Sequence, residues 1–407
     1  MNKQREISVL QINTTANWGS TGRIAEEIGQ LVTSQGFGSY IAYSRGNPKS
    51  KSRLIHIGND LDMKCHALQS RLLDNHGLAS KQVTRTFIKQ IDSIKPDIVH
   101  LHNIHGYYLN YEILFDYLAQ MDIPIVWTLH DCWAFTGHCA YYSYVGCNRW
   151  RTLCHDCPQK KSYPSSWFAD RSEQNFRDKL HAFTSVRNMT LVPVSAWLAE
   201  EVRQSFLKNY PIQVIHNGID TDVFSPKQIC KSNLGLEDKF VILGVASVWE
   251  TRKGLNDFIK LRKLLSDDYS IVLIGLDEKQ IKQLPKGIIG IRRTNSIQDL
   301  VAYYSVADAY FNPTWEDNFP TTNLESLSCG TPVITYHTGG SVEAVDERTG
   351  FVVEQGNIAE VANIVEFIKE MGKEHWTFIC RERARNLYDK KERYMEYLHL
   401  YEKVVSL

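Results

Sequence analysis

Two acidic side chains eight positions apart, Asp317 and Glu325, lie in the segment Asp317 to Gly330 (DNFPTTNLESLSCG), which runs into the turn Gly330-Thr331-Pro332. Carboxylates accept hydrogen bonds from hydroxyls, which sugars and riboses present in pairs. The spacing predicts a strand ending at Asn312-Pro313 and a helix starting near Pro320, a residue suited to the first helical turn. Backbone amides at such a start lack intrahelical partners and hold an anion well, here a diphosphate. Pro320 lacks an amide hydrogen, so that cradle falls to Asn318, Phe319, Thr321 and Thr322. The same two acids also read as a helix cap and a solvated surface charge, and Glu316 competes with Asp317 for the first place.

Four other groups of residues have the types for chemistry. Arg252 and Lys253, after the strand-like run GVASVWE, put two cations where charge on a departing diphosphate would build, or are simply solvated loop charges. Gly19 and Gly22 sit in a small-residue loop after the first strand, where glycines let backbone approach a ligand; a plain turn is the alternative. Two strand ends, DIVHLHNIHG and PIVWTLHDCW, deliver His100, His102 and His105 in one case and His130 with Asp131 in the other. Alternation along a strand sends His100 and His102 to one face, as metal ligands or as hydrogen-bonded core histidines. Cys139, Cys147, Cys154 and Cys157 place four thiols within nineteen residues, one pair as Cys-x-x-Cys. Four thiolates complete a tetrahedral structural zinc site, and free thiols or a redox pair are the alternatives. Around them Trp133, Tyr141, Tyr142, Tyr144 and Trp150 either stack on sugar rings or pack.

The elements that must position these groups alternate short β-type runs with amphipathic helices, the pattern of parallel sheets covered on both faces. One series of strands is expected at 7–12, 39–43, 98–101, 125–129, 191–194 and 213–216. A second is expected at 240–246, 270–274, 288–291, 309–312, 332–335 and 351–353. Asn217-Gly218 and Pro226 interrupt regular structure between them and mark the interdomain crossing. The expected fold is α/β, with two doubly wound Rossmann-like domains, 1–222 and 223–386, and ligands in the cleft outside the strands' carboxyl ends. The first domain contains a Cys-rich insert at about 132–165. The tail 387–407 reads as a helix with Tyr394, Tyr397, Leu398 and Tyr401 on one stripe, packing back on the first domain.

With 46 basic and 46 acidic residues the 407-residue chain has no net charge, and so lacks the electrostatic footprint of a nucleic-acid binder. The polar start MNKQRE leads directly into a strand-like run, without a signal-type apolar stretch, and no run of about 18 apolar residues follows. Nine cysteines, several of them solitary, suit a reducing compartment, so the cytoplasm is the expected location. The G-x-G-x-x-G dinucleotide fingerprint is absent, which argues against hydride transfer.

Taken together, Asp317, Glu325, the Gly-Thr-Pro-Val turn and the Lys253-Gly254 pair resemble the retaining GT-B glycosyltransferases of family 4. The Asp317-Asn318-Phe319-Pro320 form looks most like the colanic-acid-type members that build surface polysaccharides. The resemblance implies that Asp317 contacts the donor sugar and diphosphate, that Glu325 holds the ribose, and that Lys253 neutralises the leaving diphosphate. Ser247 and Val248 stand where the family has an arginine, and Arg252 would take its place. His130 would meet the donor sugar, and the Gly19–Gly22 loop the diphosphate or acceptor. Implied too are a UDP- or GDP-sugar donor, front-face attack with no metal or other cofactor, and a glycan or lipid-linked acceptor. The last would bring the protein to the inner membrane face, where Arg149, Arg151, Lys160 and Lys161 offer positive charge. Another GT-B activity, such as a nucleotide-sugar epimerase or sugar phosphorylase, and a non-catalytic partner subunit are the competing readings.

Overall fold

Runs rich in Val, Ile and Leu form the strands, and their burial on both faces is what a parallel sheet covered by helices demands. The computed structural model describes residues 7–46, 48–236 and 238–406; the polar start MNKQRE lies outside the described residues. Its first sheet contains β1 (Ser8–Ile12), β2 (Gly38–Tyr43), β3 (Arg53–His56), β4 (Ile98–Leu101), β5 (Ile125–Leu129) and β6 (Met189–Pro193). The second contains β7 (Phe240–Val245), β8 (Tyr269–Ile274), β9 (Ile288–Ile291), β10 (Ala309–Asn312), β11 (Val333–Tyr336) and β12 (Gly350–Val353). The orders are β3-β2-β1-β4-β5-β6 and β12-β11-β10-β7-β8-β9, parallel throughout. Both are the doubly wound order, in which the strand sequence reverses direction once. The reversal lies between β1 and β4 in one sheet and between β7 and β10 in the other, and crevices for ligands open at such points.

The chain divides into two units, one containing the chain up to His216 and again from Tyr394, the other Asn217–Arg393. In the first unit the final helix, Lys390–Val405, supplies Tyr394, Tyr397, Leu400, Tyr401 and Val404 to a core that also holds Val9, Ile24, Ile28, Ile98 and Val126. In the second, Phe258 and Leu261 from helix Leu255–Leu264 are fully buried, and the Phe258 ring meets Phe311 of β10 edge-on at 5.1 Å.

Two expectations fail. Gln213–His216 is not a strand: only Ile212 bridges to Leu191, with single bonds from the Gln213 and Ile215 amides to Leu191 and Pro193. Proline at 211 limits pairing there. Conversely β3, the sequence Arg-Leu-Ile-His, was not anticipated; it is a short, largely exposed edge strand, and an edge lacks the apolar signature of its buried neighbours.

Candidate functional site

In the second unit the loops after β7 and β10 meet at the reversal point. After β7 a single 3₁₀ turn, Thr251–Lys253, leads through Gly254 into helix Leu255–Leu264. Gly254 has φ +76°, and a Cβ there would stand 2.3 Å from the Pro313 carbonyl oxygen, so only glycine lets this loop lie against the end of β10. The contact is reinforced by the Trp315 amide donating to the Arg252 carbonyl at 2.7 Å, and by Arg252 Nη1 donating to the Glu316 carbonyl at 3.2 Å. Lys253 Nζ lies 2.5 Å from Asp317 Oδ2, both side chains about a fifth exposed. Cation and carboxylate thus face each other at an accessible position.

Behind them runs helix Thr321–Ser328, with Pro320 at the cap position just outside it, one residue earlier than the first-turn place expected. Its leading amides, Thr321 and Thr322, belong to the set that no helix satisfies internally. Glu325 lies one turn inside and is 7 % exposed, so it is not a solvated surface charge. Its Oε2 accepts from the Tyr304 hydroxyl at 2.9 Å, and burial followed by that carboxylate raises the tyrosine pKa well above its usual value. Glu316 is almost fully buried, whereas Asp317 keeps a partly open carboxylate on Lys253. Asn318 and Phe319 are buried too; the Phe319 ring packs 5.8 Å from Tyr388, and its carbonyl accepts from Asn217 Nδ2 at 3.3 Å.

A polar chain under the site was not foreseen. Asn312 Nδ2 donates to Asn323 Oδ1 at 2.8 Å, Asn323 Nδ2 donates to Ser341 Oγ at 3.1 Å, and Ser341 and Thr335 hydroxyls meet at 2.6 Å. These buried bonds tie the ends of β10 and β11, the helix start and the 3₁₀ turn Gly339–Ala344 into one frame.

In the first unit, the ends of β4 and β5 form a small pocket lined by His102, His105, His130, Asp131 and Trp133. His105 Nε2 lies 2.9 Å from Asp131 Oδ2 and its Nδ1 3.0 Å from the Tyr163 hydroxyl. Burial pulls the Asp131 carboxyl up, but His105, the Trp133 amide and His130 outweigh it and leave its pKa below the usual value. Burial lowers His130 to about 4, against the opposing pull of Asp131, and holds His102 well below 6.5, so both rings are neutral near pH 7. Their tautomers follow from a chain of bonds. Gln11 Nε2 donates to the Ala25 carbonyl at 2.8 Å, which turns its Oε1 to His102 Nε2 at 3.0 Å, and that nitrogen must donate. A neutral imidazole has one N–H, so His102 Nδ1 accepts, and the donor it meets at 3.2 Å is His130 Nε2. His130 therefore has its lone pair on Nδ1. The His100 ring lies 4.0 Å from that of His102, tilted by 37°, and hydrogen-bonds to the Tyr401 hydroxyl at 2.6 Å and Thr128 Oγ1 at 2.8 Å; of the two alternatives for His100 and His102, these bonds and their burial are those of hydrogen-bonded core histidines.

The glycine pair differs from the expected loop. Helix Gly19–Ser34 begins at Gly19 and includes Gly22, whose Cβ would meet Thr15 Oγ1 at 2.5 Å. Gly22 is thus accounted for by helix packing on the loop after β1. Of the aromatic residues in the insert, Trp133, Tyr142 and Trp150 are buried packing groups, and Tyr144 is exposed.

Cys139, Cys147, Cys154 and Cys157 line one pocket with Thr136, His138 and Trp150. All are free thiols, and Cys154 Sγ accepts from the Gly137 amide at 3.2 Å. The Cys139 thiol donates a hydrogen bond to the Cys157 sulfur, which lowers Cys157 to about 7 and, with burial, raises Cys139 well above 9. Among the described residues no group of three or more His, Cys, Asp or Glu is already arranged to hold a metal ion. Beneath the insert, the buried Lys179 ammonium donates to the Trp133 and Thr136 carbonyls at 2.7 and 3.0 Å and lies 3.6 Å from the centre of the Trp133 ring; burial lowers its pKa to about 7.

Two family models match the chain: Glycosyltransferase Family 4 over residues 23–223 and Glycosyl transferases group 1 over 239–369. A chain of Escherichia coli K12 assigned to colanic acid biosynthesis, the glycosyl transferase WcaC, is 24% identical over 421 aligned positions, covering 97% of this chain and 100% of its own. The N,N'-diacetylbacillosaminyl-diphospho-undecaprenol alpha-1,3-N-acetylgalactosaminyltransferase of Campylobacter jejuni is 26% identical, covering 51% of this chain and 58% of its own. Among solved structures, HepE of Anabaena in complex with UDP-glucose superposes with a TM-score of 0.68 at 14% identity, covering 99% of this chain and 100% of its own, a likeness of fold.

Proposed function

Since the chain belongs to the family 4 glycosyltransferases, with the group 1 domain in its second half and the GT-B fold, we propose that it transfers a sugar from a nucleoside-diphosphate donor to a glycan or lipid-linked saccharide in surface polysaccharide biosynthesis. The observation behind this is the Lys253–Asp317 pair, set before a helix start whose buried Glu325 lies one turn in. A diphosphate arriving here would draw Lys253 from Asp317 and meet Arg252 and the amides of Asn318, Phe319, Thr321 and Thr322. Asp317, released, would accept from donor hydroxyls, and Glu325 from those of the ribose, its second bond already fixed by Tyr304. The base would lie against residues 292–296, after β9. His130, with its Nδ1 acceptor, and the Gly19–Gly22 helix start are the first unit's proposed contributions to binding sugar and acceptor.

Catalysis in this reading is electrostatic and positional: the cations stabilise charge on the leaving diphosphate as the anomeric bond breaks. The acceptor hydroxyl attacks from the same face, the leaving phosphate oxygen takes its proton, and configuration is retained without a metal. UDP-glucose is the ligand in the HepE complex, and the name of the C. jejuni relative gives a sugar carried on diphospho-undecaprenol; each supports the corresponding class here. The four cysteines, which line one pocket, are proposed as the residues that would hold a structural zinc as thiolates, the metal bracing the insert and taking no part in transfer. Among the described residues no helix is long and apolar enough to cross a membrane, and we place the enzyme at the cytoplasmic side of one.

A panel of nucleotide sugars identifies the donor, and initial rates with Lys253→Ala and Glu325→Ala then test the site. The expected loss is about 10²- to 10³-fold for Lys253→Ala, the scale of removing one preorganised charge partner of the transition state. Unchanged rates in both variants would remove these residues from the site, and an inverted anomeric product would remove the retaining mechanism.

A further inference from the structure

Helix Asp60–Leu73 of the first unit is built inside out. The side chains it buries are His66 and Ser70, both polar, while Leu61, Leu68, Leu72 and Leu73 stand 69, 50, 38 and 53 % exposed. Leu61, Cys65, Leu68 and Leu72 follow one another at intervals of four, three and four, a single stripe along the helix, and Cys65 is exposed with them. The buried face is fixed by specific bonds, His66 Nδ1 to the Ser80 hydroxyl at 2.8 Å and the Gly77 amide to His66 Nε2 at 3.2 Å, so the leucines cannot turn inward.

The insert adds to this face. The Trp167 amide donates to the Arg71 carbonyl at 2.7 Å and the Arg71 guanidinium stands over the indole at 5.9 Å, which sets Trp167 beside the end of the stripe. Trp167 and Phe168 are 51 and 74 % exposed, and Lys160 Nζ donates to the Phe168 carbonyl at 3.2 Å. Lys64 and Arg71 are exposed on the same helix, Arg71 against Trp167, and in the insert Lys160, which meets the Phe168 carbonyl, is followed by the exposed Lys161. Of the acids nearby, Asp60 and Asp62 lie in the first turn, at the end of the helix away from Arg71, Asp62 accepting from the amide of the N-cap Asn59; Asp74 is buried against His138, and Asp170 accepts from Ser172 and the Cys157 amide. Leucines and interfacial aromatics with a basic rim match the chemistry of an anionic bilayer surface, apolar below and negative at the headgroups.

We infer that the exposed stripe of helix Asp60–Leu73, with Trp167 and Phe168, docks the protein on an anionic membrane surface. This deepens the proposed reading, since a lipid-linked acceptor sits in such a surface, but it stands on the helix and insert themselves. The full chain, without donor or acceptor, is floated with phosphatidylcholine vesicles with and without about 30 mol % phosphatidylglycerol. Flotation with the anionic vesicles is expected, falling about ten-fold or more in Leu68→Glu/Leu72→Glu and in Trp167→Ser/Phe168→Ser, with unchanged circular dichroism and thermal unfolding. Absence of flotation, or flotation unaffected by both double variants, overturns the proposal. A concentration-dependent dimer that Leu68→Glu/Leu72→Glu abolishes, with no vesicle binding, overturns it in favour of a second copy of the chain. Because no transfer is measured, failure of the catalytic reading leaves this result intact, and the reverse holds.

Discussion

Gln11 and His102 govern a nitrogen that neither of them presents to a ligand. With Gln11 held by Ala25, the direction of every proton between it and His130 is set, and His130 is left with an acceptor at Nδ1. At neutral pH, ¹⁵N-histidine spectra should show His130 as the Nε2–H tautomer. Gln11→Leu removes the acceptor for His102 Nε2–H and should release His130 into a mixture of tautomers. A His130 resonance unmoved by Gln11→Leu would show that the relay does not set the tautomer. The sequence placed His130 at a strand end but could not order these protons, because Gln11 and His102 are far apart in the chain and look like ordinary strand residues. Likewise Asp317 and Lys253 were legible as types and spacing, whereas the Asn312–Asn323–Ser341–Thr335 frame was not: scattered small polar residues have no signature until folding buries them together.

At the scale of elements, buried parallel strands announce themselves by aliphatic runs, and all but one of those expected are present within a residue or two of the expected bounds. The edge strand β3 and the irregular 213–216 segment escaped because pairing there depends on neighbours and not on composition. The insert is the element whose chemistry was hardest to read. Its thiols share a pocket, yet the Cys139 thiol donates a hydrogen bond to Cys157 and Cys154 accepts from the Gly137 amide. Elemental analysis of protein purified without chelator should find about one zinc per chain. Cys154→Ser/Cys157→Ser should lose it and expose the insert to protease. Metal-free protein in which all nine cysteines titrate as thiols after unfolding, with the same protease resistance, would leave the cysteines as thiols.

At the scale of the whole molecule, acid should act unequally. Burial lowers His66 to about 4, His100 to about 3 and His130 to about 4, and all three belong to the first unit, whereas His337 and His375 of the second are exposed. Below the usual imidazole value of 6.5 the unfolded chain takes up protons that these folded rings refuse. The stability they allow is therefore complete above about pH 6.5 and is lost as pH falls toward 4, at up to about 2 kcal/mol per ring at pH 5. Thermal unfolding at pH 7 and pH 5 should show the transition of the first unit moving down by several degrees or more, and that of the second moving less. Equal shifts in both would contradict it.

The last helix imposes an order in time. A ribosome releases the first sheet before the second, yet Tyr394, Tyr397, Tyr401 and Val404, which fill the space over Val9 and Ile98, are made only after the whole of the second unit. The second unit, contiguous from Asn217 to Arg393, can complete itself while its elder neighbour still has an open core. The half begun first is thus finished last. A nascent chain stalled short of Lys390 would display that unfilled apolar surface to whatever chaperone waits at the tunnel exit, and a message that stops before this helix would yield a protein whose younger half is sound and whose older half is not.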